Sequence, residues 1–182
     1  MTDQELIAGI KNHNAQIFRE FVDTYQVMVR NTCMGFVNNY EDTEDMAQEV
    51  FIEAFNSIEK FRGDAKLSTW LYRIAINKSL NFLRNNRKRR SKNLEANLNM
   101  QDESKYANPE AGINKAENKA IIKTALHSLP TNQRIAFVLN KQENLSYKEI
   151  AEIMSASLSS VESLIHRAKL NLQKKLINFY KK

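Results

Sequence analysis

One apolar stripe in the middle of the chain constrains the fold more than any other feature. Between residues 47 and 58 the apolar side chains recur at the spacing i, i+3, i+4, namely Ala47, Val50, Phe51, Ala54, Phe55 and Ile58. This period is typical of an α-helix with one buried face. Similar spacing covers residues 15–38, 67–86 and most of the chain beyond 116. Because only four Gly and two Pro interrupt 182 residues, we predict an all-α protein.

Charge is segregated along the chain. The net charge is +6, yet residues 40–55 carry six acids and no base, and residues 84–92 carry six bases and no acid. Such segregation suggests a basic or polar protein partner for the first run and a polyanion for the second. The alternative interpretation is that each charged run forms only a solvent-exposed helix face and binds no partner. Asp42 or Thr43 is predicted to cap the acidic helix, whose first-turn acids suit the helix dipole.

The third predicted helix, from Leu67 to Asn86, follows Gly63 as a turn residue and carries the only Trp. At about 100° per residue, one narrow stripe of this helix collects polar side chains around that Trp. The members of this Trp70 stripe are Lys66, Trp70, Arg73, Asn77, Asn81 and Arg84. Basic side chains, amide side chains and an aromatic ring in one row form a surface that suits single-stranded nucleic acid, because nucleobases outside a duplex can stack on the ring while the cations hold the phosphates. The alternative is a Trp that seals the edge of a three-helix core.

A change of composition divides the chain. Residues 91–115 lose the helical period and gain Asn, Ser, Glu, one Pro and one Gly, which predicts a flexible linker. We therefore expect two small helical domains, at residues 1–90 and 116–182.

The second domain contains a predicted helix-turn-helix. Ser146 and Glu149 form an S-x-x-E capping box, so a short helix should begin at Ser146. A second helix should begin near residues 157–159, with small polar and basic residues on its outer face. A basic extension follows, as in helices that read a DNA groove. The alternative is a plain helical hairpin or dimerisation bundle.

Several function classes find no support in the sequence. The single Cys33 cannot form an internal disulfide, and the three His are scattered, so we expect no metal, no cofactor and no enzyme activity. No apolar run reaches the roughly 20 residues that span a bilayer, and the first residues do not resemble a signal peptide. We expect a cytoplasmic protein without membrane insertion.

Two blocks of the chain resemble one family. The stretch "EDTEDMAQEVFIEAFNSIEKFRGDAKLSTWLYRIAINKSLNFLR" is similar to the second region of bacterial extracytoplasmic-function (ECF) sigma factors of the sigma-70 family. The stretch "LHSLPTNQRIAFVLNKQENLSYKEIAEIMSASLSSVESLIHRAK" is similar to their fourth region. The resemblance implies an alternative sigma factor that binds RNA polymerase core, recognises and melts promoter DNA, and initiates transcription of a specific gene set. It also implies an anti-sigma factor as a partner, because family members are often held by one.

The resemblance assigns residues to three surfaces. The core-binding surface, which meets the β′ clamp helices, comprises Asp45, Gln48 and Glu49. The minus-ten surface, which captures the opened strand, comprises Phe61, Asp64, Lys66, Trp70, Arg73, Asn77, Asn81 and Arg84. The minus-thirty-five surface comprises Ser160, Ser163, His166, Arg167 and Lys169, in a region that also touches the β flap. Asn77 with Phe61 is expected to hold a flipped base, Arg167 to reach a guanine edge, and Ser160 and Lys169 to contact phosphates.

The chain departs from the family pattern at three positions. Many members carry basic residues at the positions of Glu162 and Leu164, and a glycine at the position of Ser155. Glu162 would repel phosphate unless it accepts from a cytosine amine or caps the helix with Ser159. The competing function is a helix-turn-helix regulator that acts without polymerase and binds duplex DNA tightly by itself. A sigma factor should instead bind promoters only once core polymerase holds its domains apart.

Overall fold

The computed structural model describes the backbone of residues 1–37, 39–96 and 115–180, and the side chains of residues 1–37, 39–86 and 120–177. Every regular element in these ranges is a helix, which confirms the all-α prediction. The first domain contains α1 (Asp3–Lys11), α2 (Ala15–Met34), α3 (Tyr40–Ser57), a 3₁₀ turn at Ile58–Lys60, and α4 (Leu67–Ala96). The second contains α5 (Lys115–His127), α6 (Thr131–Lys141), α7 (Tyr147–Met154) and α8 (Leu158–Tyr180).

The helices of the first domain pack around one apolar core. α2, α3 and α4 contact one another in all three pairs, and α1 packs against α2. The predicted stripe of α3 supplies Val50 and Ala54 to this core, where α2 supplies Phe21 and Val29 and α4 supplies Leu71. Helical spacing therefore placed the correct faces inward.

Several helix ends differ from the sequence prediction. α3 is capped by Asn39, whose side chain accepts from the Asp42 N–H, so the expected cap at Asp42 or Thr43 is wrong. The Thr43 hydroxyl instead donates to the Asn39 carbonyl inside the helix. α2 ends at Met34 rather than near residue 38, because Gly35 already follows it as C-cap.

α4 is longer than predicted. It continues to Ala96, six residues into the segment predicted as a linker. The polar residues at 91–96 led to the linker prediction. They are nevertheless compatible with a helix, because a helix that extends beyond a domain core needs no apolar face. The remainder of the predicted linker, residues 97–114, lies outside the described residues, as do the ideas that rest on its acids Asp102 and Glu103.

The second domain is the predicted helix-turn-helix with two supporting helices. Ser146 caps α7, and both hydrogen bonds of its capping box with Glu149 are present, at 2.9 and 3.3 Å. α8 begins at Leu158, as predicted, and packs against α5, α6 and α7. Ser155 forms the turn in the left-handed conformation with φ 52°, where the sequence lacks the expected glycine.

The two domains pack against each other. α4 contacts α7, and one continuous apolar cluster joins residues of α2, α3 and α4 to residues of α6, α7 and α8. At the end of α2, a Cβ added to Gly35 would lie 2.5 Å from a methyl group of Val138 on α6. The absence of a side chain at Gly35 thus permits the close approach of the two domains.

Candidate nucleic-acid interface

The Trp70 stripe has an exposed end and a covered middle. Lys66, Asn77, Asn81 and Arg84 are exposed, and the Arg84 guanidinium donates to Asn81 Oδ1 at 3.1 Å. Trp70 and Arg73 are only half-exposed. The basic run that follows at residues 87–92 lies outside the described side chains.

Trp70 packs on a second aromatic ring. Its ring centroid lies 5.1 Å from that of Phe61 at an interplanar angle of 44°, and Phe61 is only 9% exposed. The Trp70 ring covers the edge of the core and still presents some surface to solvent, so its role in stacking a base stays a prediction. Phe61 is buried beneath it and presents almost no surface to a base.

A glycine turn and the N-terminal helix position the start of α4. Gly63 has φ 79°, and the side chains of Asp64 and Lys66 are exposed in the same loop. Asp3 of α1 accepts from the Leu67 N–H at 3.3 Å and from the Tyr25 hydroxyl at 3.0 Å. Burial and this carboxylate raise the pKa of Tyr25 to about 12.

Asp3 thus joins three helices at the base of the Trp70 stripe. The sequence argument missed both Asp3 and α1. A signal was present, because Thr2 and Glu5 have the spacing of a capping box, and both hydrogen bonds of that box form.

The covered middle of the stripe faces α7 of the second domain. Arg73 Nε donates to the Ile153 carbonyl at 3.1 Å, and a terminal nitrogen of the same guanidinium donates to the Glu152 carbonyl at 2.5 Å. Lys66 also lies near α7, since it contributes, after the hydrogen bonds from Ser146, to lowering the pKa of Glu149. The arrangement therefore places the cation of Arg73 on the carboxyl end of α7, where a cation is favoured.

Two further contacts cross between the domains. The Tyr72 hydroxyl donates to Glu143 Oε2 at 3.1 Å, and burial raises the pKa of that carboxyl. The Arg134 guanidinium lies 5.0 Å from the ring centroid of Phe36 in a cation–π contact, and it donates to His127 Nδ1 at 2.8 Å. Burial, followed by the charges of Arg134 and Lys123, lowers the pKa of His127 to about 4.

The outer face of α8 is open. All five residues predicted for the minus-thirty-five surface are exposed, namely Ser160, Ser163, His166, Arg167 and Lys169. The opposite face holds Val161, Ile165 and Ala168 in the core. An exposed helix with short polar and basic side chains, held in a helix-turn-helix, has the shape and charge that fit a major groove.

The acidic helix α3 presents a different kind of surface. Asp45, Gln48 and Glu49 are exposed, and Lys78 of α4 bridges Glu49 at 3.7 Å and Glu53 at 3.2 Å. The sequence argument did not single out Ile52, which is 59% exposed on the same helix. An apolar side chain among acids fits a protein partner better than a polyanion.

Within the described part of the chain, no group of three or more His, Cys, Asp or Glu side chains is arranged to hold a metal ion. No helix in that part is long and apolar enough to cross a membrane.

Comparison with known proteins places both domains in one family. Residues 21–89 match the family model of sigma-70 region 2, and residues 119–172 match that of sigma-70 region 4. The chain is similar to the ECF RNA polymerase sigma-E factor of Haemophilus influenzae, at 32% identity over 97% of this chain and 96% of that protein.

Two solved structures share the fold. CnrH in complex with the cytosolic domain of CnrY has a TM-score of 0.71, 23% identity and 97% coverage of both chains. The sigma factor RpoE of Bartonella quintana, in complex with the anti-sigma factor NepR, has a TM-score of 0.64, 21% identity, and coverage of 87% of this chain and 96% of that one.

Proposed function

The chain belongs to the ECF sigma factors of the sigma-70 family, and from this we propose how its surfaces divide the work of transcription initiation. As an alternative sigma factor it binds RNA polymerase core and directs it to promoter DNA. We assign residues 1–90 to core binding and minus-ten recognition, 91–115 to the connection between the domains, whose first six residues continue α4, and 116–182 to minus-thirty-five recognition. The observation that carries this division is the open outer face of α8 on one domain and the Trp70 stripe on the other.

The Trp70 stripe is proposed to capture the melted non-template strand at the minus-ten element. Trp70 supports the stack at the point of melting, while Asn77 holds an extruded base. Lys66, Arg73 and Arg84 supply the cations that follow the phosphates, with Asp64 and Asn81 beside them. Phe61 acts here by supporting Trp70 from below, since its ring is buried.

The outer face of α8 is proposed to read the minus-thirty-five element. Arg167 reaches a guanine edge, and Ser163 and His166 approach the neighbouring bases. Ser160 and Lys169 contact phosphates and fix the register of the helix. This domain also meets the β flap of the polymerase.

The acidic surface of α3 is proposed to dock on the β′ clamp helices. Asp45, Gln48 and Glu49 offer charge and hydrogen-bond acceptors, and the exposed Ile52 adds an apolar contact on the same helix. The proximity of Lys78 to Glu49 and Glu53 anchors this acidic face to α4. Docking and strand capture thus use neighbouring helices of one rigid domain.

The closed arrangement of the two domains supports promoter binding that depends on core polymerase. Two of the three nitrogens of the Arg73 guanidinium, Nε and one terminal nitrogen, donate to carbonyls of α7, so this edge is not available to a phosphate while the domains are closed. Separation of the domains by core releases this cation and uncovers the middle of the stripe. The match of both domains to sigma factor families does not favour the competing function, a regulator that acts without polymerase.

Partners and location follow from the same function. We propose an anti-sigma factor as a further partner, because a protein with this fold is known in complex with one. We also propose that the chain acts in the cytoplasm, where it meets polymerase and DNA. It works by binding and supplies no catalytic group.

Run-off transcription with core polymerase and a pool of genomic promoters tests the proposal. We expect new start sites that require the protein and that weaken about tenfold in Arg167→Ala, the loss of one base contact. Asn77→Ala should weaken the same starts by reducing open-complex formation. Arg19→Ala is the matched control, because it removes an exposed basic side chain on a different helix, α2. Duplex binding by the protein alone without any core-dependent start would refute the proposal.

A further inference from the structure

An acid stands on the outer face of the predicted recognition helix. Glu162 is exposed, and at 100° per residue it lies only about 40° around α8 from His166. Ser163 and Arg167 are also exposed, at about 100° and 140° around the helix from Glu162, and His166 lies between them and Glu162. Glu162 therefore lies near the edge of the predicted DNA-facing surface, beside His166.

Glu162 has no structural role among the described residues. The N-terminus of α8 is capped by Ser157, whose hydroxyl accepts from the Ser160 N–H at 3.2 Å, so the expected cap by Glu162 with Ser159 does not form. Glu162 is the fifth residue of the helix, beyond the first turn where an acid gains most from the dipole. Within the described part of the chain, no hydrogen bond or ion pair involves its carboxylate.

A free carboxylate in a DNA groove is unfavourable unless a base satisfies it. The backbone phosphates repel it, and guanine and thymine present acceptors in the major groove that repel it as well. Adenine presents the N6 amino group beside the N7 acceptor, whereas cytosine presents the N4 amino group without an adjacent acceptor. Cytosine is therefore the base that best offsets the electrostatic cost.

We infer that Glu162 accepts a hydrogen bond from the N4 amino group of a cytosine in the minus-thirty-five element. This inference rests on the proposed function of α8 as the reader of that element. Glu162 then acts as a specificity-determining residue, because guanine and thymine offer its carboxylate no donor and adenine offers one only beside the repelling N7 acceptor. Its effect is discrimination rather than tighter binding overall.

Transcription from promoters with a randomised minus-thirty-five element tests this inference. With core polymerase and the wild-type protein, we expect cytosine at one position to be favoured about tenfold over the other bases. Glu162→Ala should remove this preference and leave the preferences at other positions in place. Glu162→Gln should shift it toward adenine, because a glutamine amide pairs with N6 and N7 of adenine.

A third variant serves as the control, and the experiment distinguishes failure of the inference from failure of the proposed function. Lys169→Ala, which removes a proposed phosphate contact, should lower all transcripts nearly uniformly without changing any base preference. Both Glu162 variants introduce good helix formers at an exposed site, so α8 should keep its stability in thermal unfolding. Identical base preferences in wild type and Glu162→Ala would overturn the inference alone. Absence of every core-dependent transcript would instead overturn the proposed function.

Discussion

Replacing Gly35 by alanine should open the two domains. Gly35 follows α2 with φ −64° and ψ −16°, a conformation that alanine adopts without strain. The added Cβ would lie 2.5 Å from one methyl group of Val138 and 2.9 Å from the other. Since Gly35 and Val138 belong to different domains, their separation relieves the clash.

The size of the effect follows from the packing around Val138. This side chain is 0% exposed and β-branched, so it has little freedom to turn away from a new methyl group. Inserting a methyl group into a filled core costs about 1–3 kcal/mol. With a factor of ten for each 1.4 kcal/mol, the closed state should lose about 5- to 150-fold in population relative to the open state.

Small-angle X-ray scattering and strand binding measure this shift. Gly35→Ala should have a larger radius of gyration than the wild type, and it should bind a fluorescent single-stranded minus-ten oligonucleotide more tightly in the absence of core. Gly9→Ala is the matched control, because its Cβ would lie 2.3 Å from Ile17 within the first domain. This control should lower the melting temperature without opening the domains.

If Gly35→Ala lowers the melting temperature as Gly9→Ala does, but keeps the wild-type radius and strand affinity, the clash is absorbed inside one domain. The contact between α2 and α6 would then not control domain opening.

Two further predictions concern polar groups near the domain boundary. Tyr72→Phe removes the hydrogen bond to Glu143, so we expect it to weaken closure by about 0.5–1.5 kcal/mol and to speed hydrogen exchange in α7; unchanged exchange would count against this. The second prediction follows from the pKa of His127, which is about 4 in the folded protein against an ordinary value of 6.5. Above pH 6.5 both folded and unfolded states are neutral at this residue, whereas between pH 6.5 and 4 only the unfolded state takes up the proton, so stability falls as the pH falls. His127→Gln should flatten the melting temperature over this range, and an unaltered pH profile would show that His127 does not cause the loss.

Local hydrogen bonds explain which elements the sequence predicts well. The start of α7 follows from Ser146 and Glu149 alone, because both partners of the capping box lie within four residues. The cap of α3 was misplaced because Asn39, Asp42 and Thr43 are all good capping residues, and their sequence does not show that the extended backbone lies at Asn39, with φ −132° and ψ 165°.

Contacts between distant segments explain what the sequence could not predict. The guanidinium of Arg73 donates to two backbone carbonyls, which carry no signature in the amino-acid sequence. The burial of Phe61 beneath Trp70 likewise depends on how the loop at Gly63 folds back on α4. Helical spacing therefore identified the residues of the stripe, but it did not identify which of them the second domain covers.

The closed arrangement covers one predicted DNA-binding surface and leaves the other exposed, which suggests an order of events in transcription initiation. In the closed state the outer face of α8 is open, while Arg73 of the Trp70 stripe is held by α7. Hydrogen bonds between the domains, worth about 0.5–1.5 kcal/mol each, must be exchanged before the stripe can bind a strand. Core can supply that free energy by contacting α3 and the second domain at the same time, because it then binds the open arrangement more tightly than the closed one. We therefore expect core binding to precede strand capture, and the interaction of Arg73 with α7 to keep the free protein from trapping melted DNA.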